Sequence, residues 1–128
     1  MFGMFAKPNL TLAERSALML TIVQASLMAY FKHQRWLDED HRATVIDSWL
    51  KRNDRKAGIS FRMKISAAAD EMVRFMVATQ ERDVLLELYT FLEHAQDSIP
   101  GSSHEIDSVL HGLMEECERV LIAKGLAS

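Results

Sequence analysis

One segment limits the possible folds more than any other. From Ser16 to Phe31 the chain reads Ser-Ala-Leu-Met-Leu-Thr-Ile-Val-Gln-Ala-Ser-Leu-Met-Ala-Tyr-Phe, apolar on most sides of a helix. As a helix it spans about 24 Å, short of the ~30 Å hydrocarbon core of a bilayer. Thr21, Gln24 and Ser26 interrupt it, and Glu14-Arg15 and Lys32-His33 close its ends. No membrane span is expected. A cleaved signal peptide also fits poorly, because Glu14 splits the charged region and the run ends in Tyr30-Phe31 rather than in small residues. The remaining reading is a central helix that other helices must bury around most of its circumference.

The rest of the chain supplies those helices. Thr11 with Glu14 matches a capping box, so the first helix starts there and runs to about Arg35. Asp38 caps a second helix, with Glu39 and Asp40 in its first turn and Val45, Ile46, Trp49 and Leu50 as its apolar stripe. Asn53 to Gly58 ends it. Ser60 is the expected cap of a third helix, in which Ile65, Ala68, Ala69, Met72, Val73, Met76 and Val77 recur at helical spacing. Thr79 to Asp83 is a polar break that either caps a fourth helix or bends one long one. Val84, Leu85, Leu88, Phe91, Leu92 and Ala95 form the next inner face. Pro100-Gly101 marks a loop, Ser102 with Glu105 a second capping box, and Ile106 to Leu121 the stripe of the last helix. Lys124-Gly125 is a fitting helix end. No run alternates with period two, so no strand is expected.

The expected fold is therefore all-α: a single-domain bundle of about five helices, or four if the third and fourth are continuous. Its 128 residues suffice for one core, since a chain of this size buries roughly two-thirds of its unfolded surface. Residues 1–10 form a short apolar N-terminal arm, residues 11–125 the bundle, and residues 126–128 a tail. The arm begins Met-Phe-Gly-Met-Phe-Ala-Lys, and Phe2 or Phe5 is expected to dock on the chain's own core or on a partner. Cys117 is the only cysteine, which excludes an internal disulfide framework and favours the cytoplasm, where thiols stay reduced.

Charge is unevenly spread beneath a net −3. Residues 1–64 carry 11 Lys+Arg against 6 Asp+Glu, whereas residues 65–128 carry 4 against 12. The basic excess concentrates in Lys51, Arg52, Arg55, Lys56, Arg62 and Lys64. One reading makes this segment an anion or nucleic-acid contact, with Gly58 admitting a phosphate to the start of the third helix and Phe61 stacking on a base. The other makes it a solvated connection that balances the acidic half, within one molecule or across a dimer. The second is favoured, because the whole chain is acidic and no basic stripe runs along a helix.

No reaction is named by any motif. Five histidines occur, and His111 with Glu115 has helical pair spacing, but His-Glu-x-x-His and Cys-x-x-Cys are absent and no metal or other cofactor is expected. Glu115, Glu116 and Glu118 surround Cys117, the opposite of what activates a thiolate. No Gly-rich phosphate loop or nucleophile elbow is present. The chain is not expected to be an enzyme. Eight methionines are the compositional excess, and Met72 and Met76 beside Ala68 and Ala69 form a candidate groove for another helix. The leading expectation is a protein-interaction module (adaptor, chaperone-like or regulatory subunit), with a homodimer as one way to cover the first helix. The alternative is a nucleic-acid-binding or nucleoprotein subunit acting through residues 51–64.

Overall fold

Helix α1 (Leu12–His33) opens with the expected capping box. Thr11 Oγ1 accepts from the Glu14 amide at 3.1 Å, and Glu14 Oε1 accepts from the Thr11 amide at 3.0 Å. Two of the four amides a helix start leaves unpaired are thereby satisfied. The helix closes on Gln34 in the left-handed region (φ 54°). A computed structural model of the chain describes residues 9–97 and 104–127.

Four further helices surround α1: α2 (Glu39–Arg52), α3 (Ile59–Thr79), α4 (Arg82–Asp97) and α5 (His104–Ala123). All four touch α1. Leu18, Met19, Ile22, Val23 and Leu27 are fully buried, each such side chain contributing about 1.5–3 kcal/mol relative to exposure. Cover for most of α1 thus comes from its own chain. Among the described residues there is no strand, and no helix is long and apolar enough to cross a membrane.

Asp38 caps α2 as expected, its carboxylate accepting from the His41 amide at 2.8 Å. Ile46, Trp49 and Leu50 turn inward, and α2 packs on α1 and α3 but reaches neither α4 nor α5. Its end is a Schellman turn: Asp54 (φ 51°) bonds back to the Lys51 carbonyl at 3.2 Å, and Arg55 to that of Leu50 at 2.9 Å.

Ser60 is not the cap of α3. Gly58 holds that position, without any side-chain hydrogen bond, because the chain is already helical at Ile59. The polar break separates two helices: α3 stops at Thr79, Gln80 is extended (φ −106°, ψ 150°), and the Glu81 carbonyl accepts the Leu85 amide at 3.1 Å. Five helices result. The expected Pro100-Gly101 loop and the Ser102 cap lie outside the described residues. α5 ends in a second Schellman turn, where Gly125 (φ 71°) supplies the left-handed residue, Gly125 donates to the Ile122 carbonyl at 3.1 Å and Leu126 to that of Leu121 at 2.8 Å.

Leu10 and Leu126, assigned from sequence to the arm and the tail, both belong to the core. Arg15 draws them in. Only 6% exposed, it donates from Nε to the Leu10 carbonyl at 3.1 Å and from Nη1 to the Leu126 carbonyl at 2.8 Å. Its guanidinium carbon lies 5.4 Å from the centroid of the Phe61 ring. A second clasp forms across α2 and α3, where Arg42 donates to Ser66 Oγ at 2.8 Å and to the Leu37 carbonyl at 2.5 Å, and approaches Asp70 at 3.4 Å.

Candidate interaction groove

α3 carries more apolar surface than α1 can cover. Phe61, Ile65, Ala69 and Val73 face the core. Met72, Phe75 and Met76, with Ala68 one turn earlier, form a second stripe beside the first. α4 adds Val84, Leu85 and Leu88 to this side, and α5 adds Leu113 and Val120. Because α3 meets α4 and α5 only sparsely, the three leave an apolar groove of about 610 Å³ between them. Phe75 is 68% exposed and Val84 48%. Glu71, Glu116 and Lys124 stand at the rim, Lys124 Nζ bonding Glu71 Oε2 at 2.9 Å and Arg119 pairing with Glu116. The charges at the rim are therefore largely matched, and what a guest meets inside is hydrocarbon and thioether. Methionine fills irregular space with little strain, so such a lining adapts to different side chains.

Met72 and Met76 thus lie together in this groove with Ala68, which like Ala69 is also part of the core. Phe2 and Phe5 lie outside the described residues. Val84, Leu88, Leu113 and Val120 were expected on the inner faces of their helices and instead line the groove, while Phe75 was not singled out from sequence. The signal for Phe75 was present: an apolar side chain outside a helical stripe already wide enough to fill one interface.

The basic segment is not one surface. Arg55 Nε donates to Glu14 Oε2 at 2.5 Å, and with the Thr11 amide, the larger influence, it holds the Glu14 carboxyl below its usual range. Lys56 is tied through its backbone, its amide donating to Asn9 Oδ1 at 2.9 Å and its carbonyl accepting from the Asn9 amide at 3.3 Å. Arg62 pairs with Asp47 at 2.8 Å. Lys64, two positions further along α3, lies roughly 200° around the helix from Arg62 and so on a different side. The side chains of Lys51, Arg52, Lys56 and Lys64 are exposed and form no ion pair with any described residue. Two features of the expected phosphate cradle are overturned. Phe61 is buried beneath Arg15 and has no face free for a base, and Gly58 is buried and closed to a phosphate.

Among the described residues, no three His, Cys, Asp or Glu side chains gather as a metal site. His111 Nε2 and Glu115 Oε1 form an exposed pair at 3.0 Å. The Cys117 thiol is pushed up to about 12 by burial first and by Glu116 and Glu118 second, so it remains protonated and unreactive at neutral pH. A smaller pocket of about 210 Å³ between α2 and α3, bordered by Ile46, Ile59 and Met63, is too small for a helix. Comparison with protein-family models, with curated proteins and with solved structures yields no match.

Proposed function

We propose that this chain is a non-enzymatic interaction module that receives the apolar face of another protein's helix in the groove between α3, α4 and α5. The observation that carries this reading is an apolar groove of about 610 Å³ in which Phe75 and Val84 stay open to solvent. Helix-in-groove recognition works this way: a few apolar anchors at helical spacing enter a preformed trough, and a Met-rich lining accommodates their shapes. An adaptor, chaperone-like or regulatory role in the cytoplasm follows, and a second copy of the chain is one candidate partner.

The rival reading, nucleic-acid binding, is supported by Lys51, Arg52, Lys56 and Lys64, whose side chains have no ion-pair partner among the described residues. Affinity capture with three baits separates the two. Phe75→Glu with Val84→Glu removes the proposed apolar contact, and Lys51→Glu with Arg52→Glu, Lys56→Glu and Lys64→Glu removes the cations. The groove reading expects a protein retained by the wild-type and cation-substituted baits and reduced tenfold or more on the groove-substituted one. Salt-sensitive nucleic acid retained by the wild type and lost only on the cation-substituted bait contradicts it. A solution mass of one chain at micromolar concentration removes the second-copy option.

A further inference from the structure

We propose that the N-terminal arm of this same chain, Met1 to Pro8, lies in the groove between α3, α4 and α5 as its resident occupant when no partner helix is bound. Three observations lead there. The first is where the arm joins the bundle. The Leu10 and Leu126 carbonyls accept from one guanidinium, that of Arg15, so the arm meets the bundle beside the end of α5. Two residues before Leu126 stands Lys124, which marks one end of the groove through its bond to Glu71.

The second observation is reach. Eight residues in extended form cover about 26–29 Å, while the α3 wall from Ala68 to Gln80 is about 18 Å long. The third is chemistry. The arm reads Met-Phe-Gly-Met-Phe-Ala-Lys-Pro, with two phenylalanines, two methionines and no acidic residue. On an extended chain Phe2 and Met4 share one face and Met1 and Phe5 the other, so either face offers one aromatic and one thioether anchor to an apolar lining. Lys7 is the arm's only charged side chain.

The arm then acts as a competitor in cis: a partner helix must displace it, and shortening the arm raises the partner's apparent affinity without changing any groove residue. This goes beyond the partner reading and does not depend on it.

Engineered disulfides test the placement, and Cys117 does not interfere, because it is fully buried. The groove pair is Gly3→Cys with Glu71→Cys. The control pair is Gly3→Cys with Lys51→Cys, whose second site lies five residues before the Lys56 that bonds Asn9 and is within the arm's span. Under oxidised glutathione, the proposal expects an internally linked monomer at least tenfold more abundant for the groove pair. Adding Phe2→Ser and Phe5→Ser abolishes that preference. Equal linking of both pairs, or linking of neither, overturns the proposal. A disulfide-linked dimer overturns it as well, by assigning the groove to a second copy's arm. Selective internal linking in a chain that binds no helical peptide leaves this inference standing and removes the partner reading.

Discussion

The junction of the chain ends and the groove between α3, α4 and α5 are built on opposite principles. At the junction, polar groups with fixed directions set the geometry. Arg15 holds the Leu10 and Leu126 carbonyls, Asn9 pairs with the Lys56 backbone, and Arg55 reaches Glu14. Each donor there has an acceptor that only one arrangement satisfies, and a buried guanidinium without its acceptors is costly. In the groove almost nothing is directional. Apolar side chains from three helices leave a gap, and Lys124–Glu71 is a single exposed tie across its rim. The first region specifies one structure. The second tolerates several fillings, which is the property a surface needs in order to accept a guest.

That contrast can be broken most severely at Arg15. Arg15→Ala leaves two buried carbonyls without their charged donor and exposes Phe61, and it should destabilise the chain by about 2–4 kcal/mol. Urea unfolding measures this, and a loss below about 1 kcal/mol would show that the junction is not held by Arg15. Asp54→Gly should act in the opposite sense. Asp54 sits at φ 51° in the turn that aims Arg55 at Glu14, and glycine relieves the left-handed strain by about 0.5–1 kcal/mol. An unchanged or lowered unfolding midpoint contradicts this.

Glu14→Gln should cost less than Arg15→Ala, and its effect should depend on pH. The folded carboxyl titrates below its ordinary value, so its stabilisation is fully present above the usual carboxylate range and is lost as pH falls through the folded value. The gap in urea midpoint between wild type and Glu14→Gln should therefore be largest at neutral pH and shrink below about pH 4. A pH-independent gap would mean that the charge is not what matters. The smallest effect belongs to the groove. Phe75→Ser, at a side chain 68% exposed, should change stability by no more than about 0.5 kcal/mol while weakening helix binding tenfold or more. A large stability loss would make Phe75 a core residue and remove the distinction between the two regions.

Local chemistry was legible in the sequence where its partners are close along the chain. The Thr11–Glu14 box, the Asp38 cap and the Gly125 stop each depend on residues within a few positions, and each occurs. The apolar run from Ser16 to Phe31 required a surrounding bundle, and four helices surround it. Arg15 was illegible because its acceptors are backbone carbonyls, one of them 111 residues away, and a carbonyl has no sequence signature. A surplus of apolar surface was expected on α1 as well as at Met72 and Met76 of α3, and it is α3 that retains one. How much of a helix is buried depends on how many neighbours surround it, and periodicity does not report that number. The basic segment looked continuous because its cations are adjacent in sequence. Helical geometry and the partners Glu14 and Asp47 disperse them.

The central claim is that the groove, and not the polar junction or the α2–α3 pocket, takes an apolar helix. Peptides selected from a displayed library of amphipathic helices, titrated into chain with labelled methionine methyl groups, test it directly. Met72 and Met76 are expected to shift together in proportion to occupancy, while exposed Met63 in the α2–α3 pocket and buried Met19 in the core stay in place. Shifts centred on Met63, or a library that yields no binder, would contradict it.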